Sequence, residues 1–173
     1  MAIDQKRASD LAATAFEHWQ AGRLNESAES YAAALAVADP GHYRTPVYHG
    51  EFASVLSALE RNHEAISEFR TALTLEELQS GSDSSATRVA RYFLGEQYLK
   101  MDLAAEALAT VSANVVVARE HALLKLVEAL ARARLGDSEA ARVAARAAVA
   151  AASSEEQRVK IAERLRDILA SAR

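Results

Sequence analysis

Leu94-Gly95-Glu96-Gln97-Tyr98, continuing through Asp102-Leu103 to Glu106-Ala107-Leu108, decides the fold, because its order of residues returns along the chain. His63-Glu64-Ala65-Ile66-Ser67-Glu68-Phe69 runs into Ala72-Leu73, and Asn25-Glu26-Ser27-Ala28-Glu29-Ser30-Tyr31 runs into Ala34-Leu35. In both, an aromatic ring shortly precedes the Ala-Leu pair, so that Ala34 and Ala72 hold the same place in successive copies. A fourth, weaker copy reads Leu135-Gly136-Asp137-Ser138-Glu139-Ala140-Ala141. Recurrence of this kind marks stacked supersecondary units, none of which buries its apolar face alone.

Composition agrees. Half of the 173 residues are hydrophobic and alanine dominates them, which favours close-packed helices. Two prolines and six glycines are too few to punctuate a many-stranded β fold. The class expected is all-α. With no cysteine, disulfides, thiolate zinc sites and cysteine nucleophiles are excluded. Met1-Ala2-Ile3-Asp4-Gln5-Lys6-Arg7 lacks the apolar stretch of a secretory leader, and Val115–Val117 is too short to cross a bilayer. A cytoplasmic protein is expected. The net charge of −4 gives no reason to expect nucleic-acid binding. Residues 1–86 hold 6 Lys/Arg against 13 Asp/Glu, and residues 87–173 hold 14 against 11. That asymmetry reads either as two differently solvated halves or as a polarised surface that steers a partner.

The repeats resemble tetratricopeptide repeats (TPR). That pattern runs from an aromatic or Leu through Leu-Gly-x-x-Tyr, a Gly-Asp turn, Ala-x-x-x-aromatic and Ala to Pro. Leu94, Gly95 and Tyr98 match its first helix, and Ala65, Phe69 and Ala72 its second. Gly22 and Gly136-Asp137 fit the turn, and Asp39-Pro40 fits the stop. The resemblance covers roughly residues 8–150 and implies antiparallel hairpins stacked as a right-handed solenoid. Within each hairpin the helices cross closely only where small residues meet. Gly95, Ala15, Ala53 and Ala129 supply these on the first helices, and Ser27, Ala65, Ala107 and Ala141 on the second. Phe52, Leu56, Leu94, Tyr98, Tyr31 and Phe69 are expected to fill the space between hairpins.

One domain is expected over 1–173, with hairpins at about 8–38, 46–79, 86–113 and 119–152 and a capping helix over 154–171. Asn25 is placed to help cap a helix, and Pro46 to begin one. Equivalent helix starts near Ala8, Pro46, Arg88 and Ala122 are unevenly spaced. Only the last interval has the family's usual length, and the first two are longer. Thr14, His18, Glu128 and Arg132 stand where the pattern has Leu or Tyr.

No constellation for chemistry emerges. The histidines (18, 42, 49, 63, 121) form no i, i+4 pair or His-Glu-x-x-His run, and no phosphate loop or nucleophile elbow is present. Neither catalytic residues, cofactor nor metal is expected. The family instead uses the first helices of successive hairpins to line a groove for a peptide or helix. By that resemblance the partner-binding residues are Phe16, Trp19, Gln20, Ser54, Ser57, Arg91, Tyr92, Glu96, Leu99 and Lys100, with Gly50 leaving the groove shallow at its middle. Trp19 is either an anchor in that groove or packed against Leu24. A clamp for a C-terminal carboxylate is disfavoured, because only Lys100 and Arg91 are suitably placed and its asparagines are missing. Arg132, Arg134, Arg142 and Arg146 form either a solvated face or a surface for an acidic partner. The function expected is capture of a protein or peptide partner, with no role for nucleic acid or membrane. The alternatives are an immunity or inhibitor protein in a tight complex with a bacterial toxin or enzyme, and a structural homodimer formed through Ala140–Ala152.

Overall fold

The computed structural model describes residues 3–112 and 121–170. The Val115–Val117 cluster and positions 113, 119 and 171, where expected helices begin or end, lie outside the described residues. Those residues form helices α1 (Gln5–Gln20), α2 (Leu24–Val37), α3 (Thr45–Ala58), α4 (Asn62–Ser80), α5 (Ser85–Lys100), α6 (Ala104–Ser112), α7 (Ala122–Arg134), α8 (Ser138–Ala150), α9 (Glu155–Arg164) and α10 (Arg166–Ala170), and no strand. The fold is all-α. None of these helices is long and apolar enough to cross a membrane.

Two compact units divide the chain, Met1–Ala90 and Arg91–Arg173. In the first, α1 packs on α2, α2 on α3, and α3 on α4. The chain ends of the first hairpin are tied together: the Asp4 N–H donates to the Val37 carbonyl at 2.8 Å, and the Asp39 N–H to Gln5 Oε1 at 2.9 Å. Pro46 occupies the first turn of α3, where a missing N–H costs nothing. In the second unit α6 packs on α7, α7 on α8, and α9 and α10 on α8.

The small positions of the helical hairpins are fully buried. Ala15, Ala53 and Ala129 on the first helices and Ser27, Ala65, Ala107 and Ala141 on the second are all 0% exposed. Ser27 replaces alanine without leaving a stranded hydroxyl, since its Oγ donates to the Ala15 carbonyl at 2.8 Å. At Gly95 an added Cβ would lie 2.8 Å from Val127 Cγ1 and 3.2 Å from Val111 Cγ1. That glycine therefore serves a close approach to both α6 and α7.

Each first helix ends in the same turn. Gly22, Glu60, Asp102 and Gly136 all have left-handed φ, at 74, 60, 58 and 82°. The next N–H then reaches back to the last helical turn: Arg23 to the His18 carbonyl, Arg61 to Leu56, Leu103 to Tyr98, and Asp137 to Arg132, at 2.9, 2.9, 2.9 and 3.0 Å. These Schellman turns satisfy carbonyls that the helix end would otherwise orphan. The intervals from Gly22 to Glu60, Glu60 to Asp102 and Asp102 to Gly136 equal, in order, those between the helix starts read from the sequence. The tight turn also corrects the expected role of Asn25. Helix α2 begins at Leu24 with Arg23 in the cap position and no side-chain cap, so Asn25 lies inside the first turn.

Two of the four corners carry a side chain where glycine alone is unstrained. Glu60→Gly is therefore expected to raise the free energy of unfolding by about 0.5–1 kcal/mol, and Gly136→Ala to lower it by a similar amount. Urea midpoints measure both, and equal midpoints for Gly136→Ala and wild type would show that the corners hold no strain.

The C-terminal segment is two helices rather than one. Helix α9 ends at Arg164, and α10 resumes after Leu165, whose backbone (φ −102°, ψ 8°) departs from the helix. The interruption leaves Ile161 and Leu165 buried in one cluster with Ala122, Leu126, Ala129, Ala144, Ala145 and Ala148, and brings Ile168 and Leu169 against it. Ser154 caps α9 by accepting the Gln157 N–H at 3.1 Å, and Gln157 accepts the Ser153 N–H at 2.7 Å.

Candidate functional site

In the first unit, a groove of about 550 Å³ runs between α1 and α3. Ser9, Ala12, Ala13, Phe16, Glu17 and Gln20 line it from α1, and Arg44, Tyr48 and Glu51 from the α3 side. The α1 residues recur every three or four positions and so share a helix face. Phe16 is 40% exposed, and Trp19, half-buried beside it, meets its ring edge-on at a centroid distance of 6.1 Å. Trp19 is thus held at the margin of the groove by Phe16 and does not line it.

Hydrogen bonds fix the α3 wall. The Tyr48 and Ser9 hydroxyls share a bond at 3.1 Å across the groove, and the Arg44 guanidinium lies 5.7 Å from the Tyr48 ring centroid. The buried Tyr31 hydroxyl donates to Glu51 Oε2 at 3.1 Å. Burial lifts the Glu51 carboxyl above the ordinary glutamate range, although the Tyr31 hydrogen bond and the Arg44 charge pull it down. Burial and the nearby Glu51 charge raise the Tyr31 phenol in turn.

The other expected residues of this unit lie one step around α3. Ser54 donates its hydroxyl to the Gly50 carbonyl at 2.9 Å, and Ser54 and Ser57 are half-buried outside the groove lining. A Cβ added at Gly50 would meet nothing within 4 Å, so the surface there is open.

In the second unit the expected residues separate by burial. Arg91 and Leu99 are each 5% exposed and offer a partner almost no side-chain surface. Lys100 is exposed. Tyr92 and Glu96, one turn apart on α5, meet Arg164 of α9, whose Nη2 donates to both Glu96 oxygens at 3.1 and 2.8 Å. Burial and the Glu96 charge raise the Tyr92 phenol, opposed by Arg164. These two positions are occupied from within the chain.

No family model matches the chain, and no curated protein matches it in sequence. Solved structures do resemble it. BtubC (BKLC) from P. vanneervenii superposes with a TM-score of 0.76 at 14% identity, over 89% of this chain and 64% of that one. MamA (41-end) from Desulfovibrio magneticus RS-1 gives 0.68 at 17% identity over 95% and 94%, and a MamA RS-1 double mutant gives 0.68 at 15% over 95% and 96%. Such a likeness concerns the fold, and it joins hairpins whose crossings are kept close by Gly, Ala and Ser and whose corners repeat at the sequence period. The chain has a tetratricopeptide-like fold.

In a TPR-like hairpin the first helix shows more than one side. The expected residues of α3 follow the stripe 50, 54 and 57, whereas the stripe 44, 48 and 51 forms the wall opposite α1. Sequence reasoning missed Arg44, Tyr48 and Glu51, though their i, i+4, i+7 spacing is visible in the sequence.

The departures from the TPR pattern in the fourth hairpin form a polar network. Glu128 meets Lys125 and Arg132, and Arg132 also meets Asp137. Burial alone would lift the Glu128 carboxyl, but the two cations outweigh it and hold it below the usual range. Arg134 donates to the Leu99 carbonyl. Arg132 and Arg134 are therefore engaged within the fold. Of the alanine run offered for self-association, Ala141, Ala144, Ala145 and Ala148 are 0–3% exposed and interior, whereas Ala140, Ala147, Ala150, Ala151 and Ala152 keep some exposure. Among the described residues no group of three or more His, Asp or Glu could hold a metal.

Proposed function

We propose that the chain is a protein-interaction module, an adaptor or scaffold without catalytic activity, that holds a segment of a partner protein in the groove between α1 and α3. The observation that carries this reading is the groove itself. It has about 550 Å³ of space, an exposed aromatic side chain at Phe16, and hydrogen-bonding groups at Gln20 and Glu17. An exposed aromatic next to a second ring supplies large contact area at small entropic cost, which suits an anchor. The TPR-like fold supports the reading by analogy.

Ala13 is exposed on the groove wall, so Ala13→Trp fills the space without entering the core. Affinity capture from the source cell should retain a partner on wild type and on Val143→Asp, a control at a 63% exposed site on α8, and lose it on Ala13→Trp. A partner held equally by Ala13→Trp would move the interface elsewhere. Capture of the chain by itself alone, with a concentration-dependent dimer in sedimentation, would replace this reading with self-association.

A further inference from the structure

The groove contains a carboxylate that no ion pair engages. Two other half-buried carboxylates meet cations: Glu96 receives Arg164, and Glu128 receives Lys125 and Arg132. Glu51 receives the neutral Tyr31 hydroxyl. No basic group among the described residues forms an ion pair with it; Arg44, whose charge reaches it from a distance, lies over the Tyr48 ring. Glu17, exposed on the opposite wall, likewise has no cationic partner among the described residues. Between the two carboxylates the α1 wall is apolar, formed by Ala12, Ala13 and Phe16.

A half-buried carboxylate loses hydration that a single neutral hydrogen bond does not replace, and an incoming cation restores the balance. The wider field acts in the same direction, because the first unit holds 7 Lys/Arg against 13 Asp/Glu. A negative surround raises the local concentration of positive ligands and repels acidic ones.

Resting on the groove reading above, we infer that the segment it holds is basic, carrying an arginine or lysine side chain beside an apolar residue. The cation pairs with Glu51, Glu17 adds negative charge from the opposite wall, and the apolar neighbour lies on Phe16 and the Ala12–Ala13 wall. The recognition is of a short stretch of protein, with the charge selecting the segment and the ring anchoring it. Arg44 at the rim sets the polarity by repelling a second cation at that end.

The test pans a displayed library of random dodecapeptides against the full chain, then measures synthesised winners by fluorescence anisotropy on wild type, Ala13→Trp, Glu51→Gln and Glu17→Gln. The winners should carry Arg or Lys close to an aliphatic or aromatic residue and lose binding to Ala13→Trp. Glu51→Gln should weaken them about tenfold, as expected for a charge-assisted hydrogen bond reduced to a neutral one. Circular dichroism should be unchanged, since the amide oxygen still accepts from Tyr31. Glu17→Gln, at an exposed position where folding is not at issue, should weaken binding severalfold, with a shallower salt dependence. Winners blocked by Ala13→Trp but lacking basic residues, or indifferent to both Gln variants, would overturn the basic segment and leave the groove standing. Winners that bind Ala13→Trp equally, or a library without enrichment, would overturn both.

Discussion

Gly95→Leu is expected to unfold the second unit, at a loss of more than about 3 kcal/mol, with Gly95→Ala already losing about 1–2 kcal/mol. Two effects oppose each other in the alanine variant. Alanine is better than glycine in a helix interior by about 1 kcal/mol. Against that, its Cβ would enter to 2.8 Å from Val127 Cγ1 and 3.2 Å from Val111 Cγ1. Both valines are fully buried and β-branched, so neither swings aside without leaving its rotamer. Overpacking of this kind costs about 1–3 kcal/mol, and the steric term wins. Gly50 supplies the contrast: it is also inside a helix, but a Cβ there meets nothing. Gly50→Ala should therefore gain about 1 kcal/mol from propensity alone. Adding Val127→Ala to Gly95→Ala should recover part of the loss, with a coupling energy of at least about 0.5 kcal/mol. Urea unfolding followed by circular dichroism gives all four values. A neutral Gly95→Ala would show that the crossing tolerates a methyl group and that the glycine there is not required by packing.

The same physics decided what the sequence revealed. The crossings were legible because only Gly, Ala and Ser fit them, and so narrow a choice shows in one sequence when it returns once per hairpin. The corners were half legible. Gly22 and Gly136 announce a left-handed turn, but Glu60 and Asp102 adopt the same backbone without the residue that advertises it. Burial on α5 was not legible: Arg91, Leu94, Gly95, Gln97, Tyr98 and Leu99 are all buried, so the helix is covered around more of its circumference than one amphipathic stripe suggests. Two expected contact residues, Arg91 and Leu99, were lost to that coverage. The groove was legible on α1 as Phe16 and Gln20. On α3 the α1-facing wall of Arg44, Tyr48 and Glu51 lies beside the stripe the family pattern selects. Pairing between distant helices, such as Glu96 of α5 with Arg164 of α9, leaves no local trace at all.

The C-terminal helices yield the second large effect. Leu165→Ala is expected to cost about 2–5 kcal/mol, the range for truncating a fully buried leucine whose surroundings relax only in part. Leu165 is 0% exposed and belongs to one cluster with Ile161 and the alanines of α7 and α8. Alanine-rich surfaces have little side chain with which to refill a cavity, so the cost should fall in the upper part of that range. Helix α9 turns one side to that cluster: Ile161 is buried while Arg158, Lys160 and Glu163 are exposed. In a stacked array stability is the sum of nearest-neighbour contacts, so the loss should be local. Amide exchange should accelerate in α7 and α8 and stay unchanged in α1 to α4. Ile168→Ala, at a half-buried position beside the same cluster, should cost only about 1 kcal/mol, which separates the cavity from a general weakening of the chain end. If Leu165→Ala proved as mild as Ile168→Ala, α9 and α10 would be an appendage, and the apolar face of α7 and α8 would be stable without them.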